Sequence, residues 1–404
     1  MKKNFSWLFI ANIFKGFYQW IVLILIVKYY SNYEVAEFTL AYALSAPIFM
    51  LTNLQLKSIY IVDYKHEEKQ FNYFLLRFLT VITSIIGFLI YFELTQTFSY
   101  IFFIIIIIKS IESIFDIIHG YFQKIEAMQY MSKSIIFQSI FSLLTFFISI
   151  NIQEELYIAL IFVAISNILV LIFYDLRIIL QIEKKAIFKI NIFNIDYVFI
   201  KYILLNAIPL GIAVFITSYT TNLPRIEVES YLGMESLAYF GAFSYMSIGL
   251  FQMLLPLQII IRSKLAKVLH NKKNHLFFKY LIVSIAITSI FSIVLYSIFS
   301  LFGEKIITFV YNKSYSEYIE VLLYLFIGQG ILFITGLLNI AVQAYQIFKL
   351  QVFISSIVLV FSYSISSYMI NTFSLLGASY LVVFYAFLSL LLYFIVLVRK
   401  INEN

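Results

Sequence analysis

With 62% hydrophobic and only 12% charged residues in 404, the chain is too apolar for a soluble globular protein, in which about a quarter of residues are charged. Its apolar runs are continuous rather than alternating, which excludes a transmembrane β-barrel, and they recur at about 20 residues, the length of a membrane-spanning helix. The net charge of +7 reads as lysines on a membrane rim and not as a nucleic-acid surface, and the absence of cysteine excludes disulfides and thiolate metal sites.

Two lysines and an apolar run open the chain in the manner of a signal peptide. The run continues past Trp20 to Tyr30 without a small-residue cleavage site, which predicts a retained first span. Hydropathy predicts about twelve spans, at 7–30, 35–56, 73–91, 98–122, 133–150, 156–180, 198–220, 236–261, 277–302, 318–345, 350–370 and 374–398. The connections alternate in charge, with 22 of the 28 basic residues on one side, including Lys57, Lys65, Lys69 and Arg77 after the second span. By the positive-inside rule that side is cytoplasmic, both termini are cytoplasmic and the span count is even. The far-side loops are short and mildly acidic. No G-x-x-x-x-G-K-[ST] loop occurs, so the chain does not hydrolyse ATP by a P-loop.

These features predict an all-α polytopic membrane protein of two six-helix halves around a central cavity, residues 1–181 and 198–404. The connection at 182–197 mixes lysines with Ile and Phe, the character of an amphipathic helix lying on the cytoplasmic surface. A short repeat supports the division: YYSNYEVAEF at 29–38 matches YLGMESLAYF at 231–240, offset by 202 residues, each between the first and second span of a half.

The fourth span carries the most telling charges. Lys109, Glu112, Asp116 and His119 fall within an arc of about 80° on a helix turning 100° per residue, so they form one polar stripe. Lys15, on the first span, is roughly 12 Å deep, comparable with Asp116 at roughly 9 Å and Glu112 at roughly 15 Å. Two readings stay open. The charges form an ion-pair network of Lys15 with Glu112 or Asp116 and of Lys109 with Glu112, or they line a cavity that receives an anion. Arg225 lies just beyond the seventh span after Pro224, where it is either a phosphate-binding fork or an interfacial residue paired with Glu227 or Glu229. Pro209 and Gly211 interrupt the seventh span and predict a hinge, and Pro256 predicts a kink in the eighth. His66, His270 and His275 lack metal-ligand spacing, so no metal site is expected, and His119 reads as an interfacial residue near a membrane end.

Three stretches carry a family resemblance: GYFQKIEAMQYMSKS at 120–134, NLPRIEVESYLGMESLAYFGAF at 222–243 and TNLQLKSIY at 52–60. They resemble, in turn, the loop after the fourth span, the outer P-R segment and the end of the second span of bacterial O-antigen and capsule repeat-unit flippases. Those are the Wzx type of the multidrug/oligosaccharidyl-lipid/polysaccharide exporter superfamily. The resemblance implies inner-to-outer leaflet translocation of an undecaprenyl-diphosphate-linked oligosaccharide by alternating access in the bacterial cytoplasmic (inner) membrane. It implies that Lys15, Lys109 and Arg225 meet diphosphate or acidic sugar, and that Glu112 and Asp116 couple to an ion or balance the lysines. It implies no cofactor, a proton or sodium gradient as the drive, and the polymerase and chain-length regulator of the same pathway as partners besides membrane lipids. Two alternatives remain: a drug or ion antiporter of the same superfamily, and a membrane polysaccharide polymerase, which would carry a larger outer loop with acid/base or arginine clusters.

Overall fold

The computed structural model describes residues 2–63, 65–66, 69–96, 98–152, 155–182, 195–270, 274–345 and 349–402. Among them the regular structure is entirely helical. The order is α1 (Lys2–Tyr29), α2 (Asn32–Thr52), α3 (Leu56–Val62), α4 (Gln70–Thr95), α5 (Tyr100–Lys124), α6 (Met128–Ile150) and α7 (Leu156–Val170). A π-helical segment (Leu171–Leu176) then leads into α8 (Arg177–Ile182), α9 (Tyr197–Gln252), α10 (Leu255–His270), α11 (Asn274–Val310), α12 (Lys313–Ser316), α13 (Ile319–Ala344) and α14 (Lys349–Asn402). Among the described residues nine helices are long and apolar enough to cross a membrane. Two of these are divided by a single non-helical residue, α9 at Gly233 and α14 at Ser374. Helix α5 is of similar length but carries Lys109, Glu112 and Asp116 within its apolar run.

Local chemistry accounts for the breaks. Ser31 and Glu34 form a reciprocal cap at the start of α2: the Glu34 carboxylate accepts from the Ser31 N–H at 3.0 Å, and the Ser31 hydroxyl oxygen accepts from the Glu34 N–H at 3.3 Å. Gly233, at the matching place 202 residues on, makes the same break with φ 81°, a conformation open to glycine. The repeat extends further than its ten residues. Helix α2 ends at a bend where Leu54 and Gln55 have positive φ, and α9 ends at Met253–Leu254. Pro256 therefore stands in the first turn of α10, where its missing N–H is not needed, and is not a mid-helix kink. The expected hinge at Pro209 and Gly211 is also not where the backbone departs from helix; in α9 only Gly233 does. A Cβ on Gly211 would lie 2.9 Å from the Leu51 carbonyl, so this glycine permits a close helix approach.

The chain forms two compact units, Met1–Val22 with Ala41–Ser218, and Leu23–Leu40 with Tyr219–Asn404. Their boundary differs from the halves read from the sequence, because two segments pack with the residues of the other half. In the first unit Phe199, Ile203 and Ala207 of α9 are buried among Leu54, Leu56, Tyr60, Tyr73, Tyr121 and Phe122. In the second, Thr39 fills the space beside Gly241, and the Tyr315 hydroxyl donates to Asn32 Oδ1 at 3.0 Å. The predicted surface helix at 182–197 falls largely on 183–194, outside the described residues.

Candidate functional site

In the first unit, α5 is surrounded by α3, α4, α6 and α7, and most of its residues are buried. Its open side is the charged stripe: Glu112 is exposed and Lys109 and Asp116 are half-buried. Lys109 Nζ donates to Glu112 Oε2 at 2.8 Å and lies over the Tyr42 ring, 4.6 Å from its centre. That pair was expected from the i,i+3 spacing. The partners of Asp116 were not. Its Oδ2 accepts from Arg77 Nη2 at 2.9 Å, and its Oδ1 is 3.5 Å from Lys57 Nζ.

Arg77, read from the sequence as a rim residue, is only 1% exposed. Its Nη1 donates to the Asn53 carbonyl at 3.1 Å and to the Asn53 side-chain oxygen. The bend at Asn53–Gln55 thus supplies the arginine with acceptors that a continuous helix would not offer. A signal existed in the sequence, since Arg77 has apolar residues on both sides in YFLLRFLT. Lys15, the expected partner of Glu112 or Asp116, is exposed and forms an ion pair with neither among the described residues, although its charge acts on Glu112. His119, expected at an interface, is 7% exposed, with its Nε2 3.1 Å from the Ser134 hydroxyl.

At the end of the same unit, Asp196 Oδ2 lies 2.9 Å from Lys69 Nζ. The hydrogen bond from Lys69 and that from the Phe199 N–H hold the Asp196 carboxyl below the usual carboxylate range. Burial works to raise Asp63, yet hydrogen bonds from Tyr73, at 2.7 Å, and from His66 outweigh it and keep this carboxyl low as well.

The second unit holds a cavity of about 290 Å³, whose lining includes Asn222, Arg225, Ser244, Gln329 and Tyr385. Because α9 continues to its break at Gly233, Pro224 and Arg225 are helical residues within a long apolar helix and not part of an outer turn. Arg225 is 6% exposed. Its Nη1 donates to Asn222 Oδ1 at 2.7 Å, and its guanidinium carbon lies 4.6 Å from the centre of the Tyr245 ring. Its Nε has no hydrogen-bond partner among the described residues. Neither Glu227 nor Glu229 forms an ion pair with it among the described residues. A buried guanidinium with an unused donor and no paired carboxylate is suited to receive an anion. The cavity is near the lower end of ligand-pocket volumes, roughly 300 Å³, which suits one charged head group and not an oligosaccharide.

No protein-family model matches the chain. It is 28% identical over 409 residues to the capsular polysaccharide biosynthesis protein CapF of Staphylococcus aureus, a match that covers 98% of each chain. Among solved structures it is similar to an inward-facing multidrug-resistance MATE family transporter of the MOP superfamily, with a TM-score of 0.74 and 12% identity over 96% of this chain and 95% of that one. It is also similar to the lipid II flippase MurJ in an inward closed conformation, with a TM-score of 0.74 and 16% identity over 97% and 86%. A third is the Vibrio cholerae MATE transporter VcmN, with a TM-score of 0.67 and 9% identity over 100% and 97%. The chain is a multi-pass membrane protein with the fold of the MOP-superfamily transporters, similar over nearly its full length to a capsular polysaccharide biosynthesis protein.

Proposed function

We propose that this chain is a flippase that moves a polyprenyl-diphosphate-linked oligosaccharide, of the undecaprenyl type, from the inner to the outer leaflet of the bacterial cytoplasmic membrane during capsule or O-antigen assembly. The observation that carries the reading is Arg225, a buried arginine with an unused Nε on the wall of a head-group-sized cavity. It stands in a chain with a transporter fold and a relative named for capsular polysaccharide biosynthesis. A diphosphate offers oxygens that a guanidinium fork binds in a bidentate manner. The sugars remain outside so small a cavity, so recognition rests on the lipid diphosphate. Lys15 is exposed and in no ion pair among the described residues, which suits a second, weaker contact for the anionic cargo; Lys109 is already paired with Glu112. In this reading there are twelve spans with cytoplasmic termini: the nine apolar helices, with α9 and α14 each counted twice, and α5. The drive is an ion gradient.

A second reading, a multidrug antiporter, is favoured by the MATE transporters among the similar structures. One experiment separates the two. In cells lacking this gene, lipid-linked sugars are extracted and assigned to a leaflet with an impermeant reagent. The flippase reading expects complete repeat units on polyprenyl diphosphate at the inner leaflet. An unchanged lipid-linked pool with lowered drug tolerance would replace it by the antiporter. Single units gathered at the outer leaflet would replace it by a polymerase.

A further inference from the structure

The first unit contains a buried polar chain that the cargo site does not use. Asp175 is 0% exposed in a run of apolar residues and belongs to the π-helical segment Leu171–Leu176. A π turn adds a residue to the helical repeat and rotates the next turn about the axis, a device that re-aims side chains. Asp175 Oδ2 accepts from the Ser134 hydroxyl at 2.8 Å, and Oδ1 has no hydrogen-bond partner among the described residues. Ser134, on α6, also meets His119 Nε2 at 3.1 Å and accepts from Gln138 Nε2 at 2.9 Å.

The hydroxyl bookkeeping orders this chain. A serine has one hydrogen to donate and two lone pairs to accept with. The hydrogen goes to Asp175, so both neighbours must donate, and His119 carries its hydrogen on Nε2. His119, Ser134 and Asp175 therefore form a directional path from α5 through α6 to the segment after α7. Each stands five to seven residues from the near end of its helical run, roughly 8–10 Å along the axis.

No lysine or arginine forms an ion pair with Asp175 among the described residues. A carboxylate with one bare oxygen in a dry interior carries a large desolvation cost that one proton removes. The groups around the path are known. Lys57 of α3 and Lys15 of α1 act electrostatically on His119, Tyr174 adjoins Asp175 and is in turn near Tyr130, and Arg77 of α4 is held by Asp116, three residues before His119 on α5. Helix α7 contributes no charged residue, and Arg177 of α8 is not paired with Asp175 among the described residues.

We propose that His119, Ser134 and Asp175 are a proton-loading site, with the proton resting on Asp175. Water delivers a proton to Nδ1 of His119. The Nε2 hydrogen passes to the Ser134 oxygen as the Ser134 hydrogen passes to Asp175 Oδ2. A neutral imidazole, a hydroxyl and a neutral carboxylic acid remain; only N–H and O–H bonds change. Loading removes one negative charge from the interior of this unit, and with it alters the hold on an anionic cargo. This last step rests on the transporter reading and makes the coupling ion a proton and not sodium.

Infrared difference spectra of the purified full chain between acid and alkaline buffer test the site directly. The expected result is the carbonyl stretch of a protonated carboxyl that titrates with pH, is lost in Asp175→Asn and shifts in Ser134→Ala and His119→Gln. Identical spectra for the wild type and a folded Asp175→Asn variant would overturn the site. Asp175→Glu, which keeps the carboxyl and must move the band, serves if the asparagine variant does not fold. Vesicles containing the protein and its lipid-linked sugar then separate the two ideas. Translocation driven by a pH gradient is expected to fall in His119→Gln to the level seen without a gradient. A titrating band with no translocation at all would remove the flippase and leave the proton site standing. Translocation driven by sodium alone, with no titrating band, would remove the proton site and leave the flippase.

Discussion

Two buried arginines, one in each unit, have opposite surroundings. Arg77 is enclosed by the Asp116 carboxylate and the oxygens of Asn53, whereas Arg225 has one amide acceptor and one aromatic ring, with no carboxylate paired to it among the described residues; the Nε of each is without a hydrogen-bond partner there. Inside a membrane protein the same residue type is thus held by an opposite charge in one place and by neutral groups in the other. Burial alone does not tell them apart; the count of acceptors does. An arginine whose charge is already balanced has little to gain from an incoming phosphate, and one held only by neutral groups gains most.

The sharpest way to break this comparison is to remove Arg225. Arg225→Ala is expected to lower export about 10- to 100-fold, the value of hydrogen bonds to a charged group, while folded yield stays at the wild-type level. Arg225→Lys should recover part of it, and inner-leaflet accumulation of lipid-linked sugar measures both. Full export by Arg225→Ala would make the cavity a packing feature. The opposite pattern is expected for Asp116→Ala. It strands the Arg77 charge in a buried site at a cost of about 3 kcal/mol, seen as a lower melting temperature. The pair Arg77→Met with Asp116→Leu should regain most of that loss, and a double-mutant cycle reads the coupling.

Smaller changes sharpen the picture on α5 and at the end of the first unit. Glu112→Gln removes an ion pair on an open helix face, worth about 0.5 kcal/mol or less. Thermal unfolding should hardly register it, so an export defect in this variant would assign Glu112 to transport. The smallest effect is expected at Asp196. Its carboxyl is held below the ordinary value of 3.8 by Lys69 and the Phe199 N–H, so its stabilisation is complete above that value and is lost as pH falls below it. Asp196→Asn should therefore melt slightly lower at neutral pH and lose part of the acid sensitivity of the wild type. Unchanged acid sensitivity would assign it to other carboxyls, Asp63 first.

Much of the helical plan is legible in the residues. Apolar runs of spanning length mark the helices, Ser31 with Glu34 marks a helix start, and the match between 29–38 and 231–240 marks a repeated bend that the structure extends to the ends of α2 and α9. The Lys109–Glu112 pair was legible because it is local, three residues apart on one helix. Arg77, Lys57, Asp175 and the burial of Arg225 were harder. Each was visible as a polar residue amid apolar ones, yet the partners of Arg77, Lys57 and Asp175 lie on other helices, as Asp116 is 39 residues from Arg77 and Ser134 is 41 from Asp175, and Arg225 borders a cavity lined also by α13 and α14. Pro209 and Gly211 misled for a related reason, since a glycine that lets helices touch has the same spelling as one that lets a helix bend.

The sequence by itself determined that the chain is a polytopic helical membrane protein, where most of its helices lie, and which few residues are too polar for lipid. Only the tertiary structure decided which of those residues are paired, which is left open at Arg225, and which is buried with a bare oxygen at Asp175. In water an amphipathic face reveals which side of a helix is inside, but in a bilayer the outward and inward faces are both apolar, so periodicity carries little of that information. What remains is the polar residue itself, and its role depends on the helices that pack against it.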